Sequence, residues 1–266
     1  MIILSGIMGI LSALRLPYMS EMDLDDPQTT VIRSKIIQEK VFLKNLYIDF
    51  YTFFKNSLAG LPKKRKLVEL GSGGGFIKDI IPDVVTSDVI DLPDVDLKFS
   101  GTNMPFKNKS VDRFFMLNVI HHIYDPRLFF KEVDRCLKNK GKLVAIEPAN
   151  TLWSSFIYQN FHHDEDFDPK GGWILKSQKA LSSANGAIPW IIFIRDRKKF
   201  KKLFPNLRIR KIIPHSPIRY LVSGGLSYRQ LLPSWTYPIV KGIEDLASPL
   251  SKYTGMFYTI EIEKHD

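Results

Sequence analysis

Apolar positions recur at helical spacing from Ile32 and Ile36 through Phe42, Leu46, Phe50 and Phe54 to Leu58. Asp26-Pro27 opens this stretch, with Asp able to cap and Pro suited to the first helical position, and Gly60-Leu61-Pro62 closes it. The spacing predicts one or two amphipathic helices whose wide apolar faces must pack over something. From Lys66 the pattern changes to short apolar runs: Leu67–Leu70, Val84–Val89, Val95–Phe99, Arg113–Leu117 and Leu143–Ile146. Phe76–Ile81 reads as a short helix stopped by Pro82. A longer helix starts at Asp125-Pro126, buries Phe129, Phe130, Val133, Cys136 and Leu137, and is closed by Asn139-Lys140-Gly141. Strands alternating with helical stretches predict an open, mostly parallel α/β sheet. Further on, Arg195–Phe204 reads as a basic amphipathic helix, and Leu207–Ile213 and Met256–Glu263 as strands. Between these elements the rhythm breaks, at about 149–194 and 214–254. Both segments read as irregular inserts, and such long connections are commonly binding elements or lids.

Composition narrows the class. The 266 residues carry 38 Lys+Arg against 28 Asp+Glu, a net charge of +10, with 44% apolar and 12% aromatic residues, which excludes a disordered chain. The single cysteine, Cys136, excludes an intramolecular disulfide and a cysteine zinc cluster. No uncharged apolar run reaches the ~18–20 residues of a spanning helix. The longest, Met1–Leu14, lacks the basic start of a secretory signal; it reads as a buried or membrane-surface segment, or as a consequence of start-site choice. A cytoplasmic location is expected, with membrane association as the other option. The basic clusters Lys63–Lys66 and Arg195–Lys202 fall on a turn and a helix face, with no nucleic-acid-binding signature beside them.

Candidate chemistry starts where the first strand runs into Gly71-Ser72-Gly73-Gly74-Gly75. A glycine loop between a strand and a helix can cradle an anion or cofactor against backbone N–H groups. No Lys-Ser/Thr pair follows, so it is not the NTPase phosphate loop, and Phe76 stands where the dinucleotide fingerprint needs its third glycine. Glu69 precedes the loop, and Asp88 ends the second strand, where a carboxylate can take both ribose hydroxyls. Gly101-Thr102-Asn103-Met104-Pro105-Phe106, then Asn118-Val119-Ile120-His121-His122 at the end of the fourth strand, and Leu137-x-x-x-Gly141 follow in order.

With these motifs the sequence resembles the class I S-adenosylmethionine-dependent methyltransferases, in the branch acting on small molecules and lipids. The resemblance covers about residues 66 to 148 well and continues more loosely to about 263. It implies a Rossmann-like α/β fold with a seven-stranded sheet in the order 3-2-1-4-5-7-6, the last strand antiparallel, and helices on both faces. The expected organisation is an N-terminal helical segment, 1–62, before a methyltransferase domain, 63–266, carrying the two inserts. S-adenosylmethionine is the implied cofactor. Glu69, Gly71, Ser72, Gly73 and Gly75 match the motif around its methionine part, and Asp88 matches the ribose acid. Val89 matches the apolar residue at the adenine, Thr102, Asn103 and Met104 the adenine-side loop, and Asn118 the strand end beside the sulfonium. Ser100 departs from the family, which often has Asp there. Read as residues alone, Glu69 could instead brace the turn, Asp88 could sit in a surface turn, and Asn118 could cap a helix.

If the acceptor is a hydroxyl, transfer needs a base. The candidates are His121, His122 and, in the first insert, His163. Adjacent helical residues point about 100° apart, so only one of His121 and His122 is expected to face the site, and both could instead be core histidines. The run His162-His163-Asp164-Glu165-Asp166 lacks a helical ligand spacing, so no metal is expected. Glu147-Pro148, just after the fifth strand, faces the same edge. Large apolar residues in the inserts, among them Trp190, Ile191, Phe193, Tyr220, Leu221 and Trp235, read as covering a pocket, a partner or a membrane face, which would suit a small-molecule or lipid-like acceptor, or equally as a tryptophan-rich extension of the core. The first insert should overhang the methyl donor, while the second need not reach it. Nucleic acid is not expected as partner. The competing readings are an RNA or protein methyltransferase, supported only by charge, and a non-catalytic interaction protein of the same fold. Oligomeric state and the methylated atom are not written in the sequence.

Overall fold

The computed structural model describes residues 13–16, 23–161, 165–179 and 182–265. Helix α1 (Pro27–Glu39) starts as the sequence signals, with the Asp26 carboxylate accepting the Gln28 N–H at 2.8 Å. Helix α2 (Val41–Asn56) follows after Lys40. Seven strands then form one sheet in the order β3-β2-β1-β4-β5-β7-β6. They are β1 (Leu67–Leu70), β2 (Val84–Asp88), β3 (Leu97–Lys98), β4 (Val111–Leu117), β5 (Leu137–Pro148), β6 (Leu207–His215) and β7 (Phe257–Lys264). Strands β1 to β5 pair in parallel, and β7 runs antiparallel to both β5 and β6. The order and the reversed last strand are those expected from the sequence.

Each face of the sheet buries its own core. On one face, Val68, Phe114, Met116 and Ala145 meet Phe129, Phe130 and Val133 of α3 (Pro126–Cys136) and Phe193, Phe200 and Phe204 of the segment before β6. On the other, Leu67, Phe115, Val144 and Ile146 meet Phe42, Leu46, Phe50 and Phe54 of α2. Helix α2 thus covers one face of the sheet, which is what its wide apolar face required.

Several elements differ from the sequence reading. Phe76–Ile81 forms only a 3-10 turn, Ile77–Asp79, and β3 is two exposed residues long. Asn139-Lys140-Gly141 does not close α3. That helix ends at Cys136 and the chain enters β5 directly, Leu137 being already extended; the extra residues form a bulge opposite β4, with Lys140 at φ +63°. The inserts are not irregular. The first holds α4 (Leu152–Phe161) and helical turns over Ile188–Trp190 and Ile191–Arg195, the latter a π-turn leading into α5 (Arg197–Leu203). The second holds α6 (Arg219–Ser223) and α7 (Tyr237–Leu246). Helix α4 hides from a periodicity argument because its burial runs against its polarity: Leu152 is 78% exposed while Ser154 and Tyr158 are buried. Among the described residues no helix is long and apolar enough to cross a membrane.

Candidate active site

The carboxyl ends of β1, β2 and β4 build the site. After Leu70 the chain turns through Gly71 (φ +67°) and Gly73 (φ +50°), a left-handed backbone that side chains disfavour. The loop is then clipped to β2: the Ser72 N–H donates to the Ser87 carbonyl at 2.9 Å, and the Gly73 N–H donates to Asp88 Oδ2 at 2.9 Å. Asp88 Oδ1 accepts the Ile90 N–H at 3.0 Å. The end of the glycine run serves packing. A Cβ on Gly75 would lie 2.3 Å from the Tyr51 hydroxyl, so the loop passes directly under α2.

Two buried oxygens at this edge have no hydrogen-bond partner among the described residues, Glu69 Oε2 at the end of β1 and Asn118 Oδ1 at the end of β4. Burial pushes the Glu69 carboxyl up to about 8; a hydroxyl bond from Ser72 holds it down in part and the Asp88 charge adds to the rise. Asn118 is held at φ +57°, so it caps no helix in the ordinary extended conformation. Unsatisfied buried acceptors are costly, which suits a cationic or N–H-bearing ligand here.

Two cavities meet at Asn118 and His122. The smaller, about 370 Å³, is lined by Gly71, Asp88, Val89 and Thr102. The larger, about 470 Å³, is lined at its base by Glu69, Ser72 and Gly75. Asn103 and Met104 line neither: Asn103 is exposed, and Met104 is buried in the core with its N–H donated to Glu132 at 2.7 Å. Gly73 lines neither and acts through its bond to Asp88.

His121 and His122 both face the larger cavity. They sit on a 3-10 turn, Ile120–His122, and their ring centroids are 4.3 Å apart, so both rings reach the same space although neighbouring residues leave the backbone in different directions. His121 Nδ1–H donates to Glu147 Oε2 at 2.7 Å, while Glu147 Oε1 accepts the N–H groups of Val119 and Ile120 at 2.8 and 2.7 Å. Glu165 from the first insert lies 3.3 Å from His121 Nε2 and 3.6 Å from His122 Nε2. Burial pulls His121 down, but its bonds to Glu147 and Glu165 outweigh that and lift it to about 10. Burial, and then the His121 charge, push His122 down to about 4. His163 lies outside the described residues.

The walls of the larger cavity come from three parts of the chain. Arg33 and Tyr47 reach in from α1 and α2, Trp153 and Ile157 from the first insert, and Tyr220 and Leu221 from the second. The second insert thus walls the larger cavity and also packs against the N-terminal helices, through Arg219–Asp49 and Lys40–Gly225. The run Ala187–Ile194 contributes no large wall side chain; Ile188, Ile191, Ile192 and Phe193 are wholly buried in the core. Trp190 packs against that core, and Trp235 is 72% exposed. Motif reading missed Arg33, Tyr47 and Tyr51, whose helices carry no signal beyond packing.

Residues 68–145 match the family described as "Methyltransferase domain". Over those residues the chain is similar to methyltransferases. The match runs from β1 to β5 and leaves α1, α2 and both inserts outside it. A domain of this kind implies S-adenosylmethionine as the cofactor. Comparison with the curated proteins finds no match. Among solved structures, the chain is similar to one from the complex between the Haloferax volcanii Trm112 methyltransferase activator and a protein described as a methyltransferase, at 15% identity and a TM-score of 0.49, covering 91% of this chain and 97% of that one. It is also similar to geranyl diphosphate C-methyltransferase from Streptomyces coelicolor A3(2), at 15% identity and a TM-score of 0.47, covering 91% and 87%.

Proposed function

We propose that this chain is an S-adenosylmethionine-dependent methyltransferase whose acceptor is a small, largely apolar or lipid-like molecule held in the larger cavity. The observation that carries the reading is the junction of the two cavities at Asn118 and His122. One side offers a cradle for an adenosine and the other a chamber of about 470 Å³ walled by aromatic and aliphatic side chains.

The residues fit the donor. Asp88 spends one interaction per oxygen on backbone N–H groups and keeps further lone pairs for ribose hydroxyls. Thr102 and Val89 flank the place for the base, at the rim of the smaller cavity. The unpartnered oxygens of Glu69 and Asn118 answer the positive methionine end. The bound donor supplies a methyl group on a sulfonium, already a good electrophile. The chain's part is to hold an acceptor atom in line, about 3 Å from that methyl, and to exclude water. Ile157 and Leu221 wall the chamber against solvent, and the His121–His122–Glu165 cluster is the place to which a hydroxyl acceptor can give its proton.

The basic cluster Lys63–Lys66 precedes β1, whereas the site follows it; four strand residues, roughly 13 Å, separate the two. That argues against a nucleic-acid acceptor guided by this cluster. The test offers labelled S-adenosylmethionine with lipid extract, polar metabolites and total RNA in parallel. Label should appear in the lipid or small-molecule fraction. Label mainly in RNA, with a steep fall at higher salt, would overturn the acceptor assignment.

A further inference from the structure

We propose that His121, His122 and Glu165 form a binding site for one divalent cation of the zinc type at the wall of the acceptor cavity. The three donor atoms, two imidazole nitrogens and a carboxylate oxygen, lie within 4.8 Å of one another. Tetrahedral zinc with bonds of 2.0–2.1 Å sets neighbouring ligand atoms about 3.4 Å apart. Glu165 Oε2 lies 3.3 Å from His121 Nε2 and its Oε1 lies 3.6 Å from His122 Nε2, so a small inward shift of the three groups would reach that spacing.

The support behind His121 is an independent observation. Metal-bound histidines almost always donate their second ring N–H to a carboxylate or carbonyl, which fixes the tautomer and aims the other nitrogen. Glu147 takes that N–H at 2.7 Å, and is itself fixed by the two amides of Val119 and Ile120. The arrangement points the remaining nitrogen of a buried imidazole at Glu165.

Both Nε2 atoms converge on one carboxylate, His121 on Oε2 and His122 on Oε1. A divalent cation would take the place of the protons that otherwise join these three groups. Two nitrogens and one oxygen suit zinc and its neighbours better than magnesium or calcium, which prefer all-oxygen sets. Three protein ligands leave a fourth position, and His121, His122 and Glu165 all line the cavity where an acceptor oxygen would enter. Sequence reading looked for a site within residues 162–166 alone; the fold adds two ligands from the turn after β4.

The experiment uses the full chain, stripped with a chelator and assayed without donor or acceptor, so that it stands or falls separately from the methyltransferase reading. Zinc is titrated against a chromophoric chelator. Wild type should bind one equivalent. Glu165→Gln, partly exposed and tolerant of exchange, and His121→Ala should each weaken binding at least about tenfold, and Glu147→Gln about 10–100-fold through loss of aim. His265→Ala should leave it unchanged. Thermal melts of the metal-free variants report folding, and Glu165→Gln keeps the test alive if His121→Ala does not fold. Stoichiometric binding by wild type that none of Glu165→Gln, His121→Ala or Glu147→Gln weakens would overturn the site. So would absence of binding, or loss only in His162→Ala or His163→Ala.

Discussion

Asp88 and Gly73 are joined by a 2.9 Å bond from the glycine's amide to the carboxylate, so the acid that ends β2 also sets the shape of the loop that ends β1. Asp88→Ala should therefore do two things at once. It should weaken donor binding at least about tenfold, since charge-assisted hydrogen bonds are worth roughly 1.5–3 kcal/mol each. It should also lower the melting temperature by freeing the loop. Asp88→Asn keeps an oxygen for Gly73 and should spare the melting temperature while still weakening the donor. Calorimetry decides: wild-type affinity in the Asn variant would mean that the carboxylate does not read the ribose.

Glu69 makes a pH prediction. Its folded carboxyl stands at about 8 against an ordinary 4.5, so between those values the folded protein holds a proton that the unfolded chain has released. Stability of the donor-free protein should fall as pH rises through this window and level off above it. Glu69→Gln should flatten the dependence and raise the melting temperature at pH 8. A cationic ammonium prefers the carboxylate, so donor binding should release a proton below about pH 8 and tighten by up to roughly tenfold per pH unit toward it. Calorimetry in buffers of different ionisation heat measures the proton; no release would detach Glu69 from the donor.

A buried ionic hub anchors the second insert. Arg219 bonds Glu244 and Asp49, and donates to the Tyr237 hydroxyl at 2.9 Å, tying α6 to α2 and α7. Arg219→Met strands Glu244 as a buried charge and should cost about 3–5 kcal/mol in urea unfolding. Adding Glu244→Leu should recover much of the loss. If the double variant is no better than the single one, burial of Glu244 is not the source.

Filling the larger cavity should separate acceptor from donor. Leu221→Trp or Ile157→Trp places bulk where both inserts line the chamber. Turnover per acceptor, as kcat/KM, should fall at least about tenfold while donor affinity stays within about twofold. Equal loss of both would place the donor in this chamber instead.

How much of this was legible follows from where each part lies in the chain. The sheet and the donor cradle depend on contiguous signals: a strand into glycines, an acid at a strand end, Asp-Pro at a helix start. The cavity walls depend on long-range packing. Helix α4 exposes Leu152 and buries Ser154, so its polar residues mark no solvent face that a period could find. Ile188 to Phe193 look like pocket residues by composition but fill the core. Backbone spacing predicts diverging histidines, yet side-chain rotation brings the two rings to 4.3 Å, which no periodicity can show.

Strand β7 lies between β5 and β6 and runs against both. Although it follows the other six in sequence, β7 is an interior strand, and β5 and β6 cannot be joined until it has been made. Until then β5 presents an unpaired edge, a hazard for association with other chains. The half of the site built from Glu69 to His122 can assemble from neighbouring sequence. The chamber beside it draws on residues from Leu14 to Phe257 and must wait for the last strand. Methyl-donor affinity should thus appear earlier in refolding than the capacity to hold an acceptor.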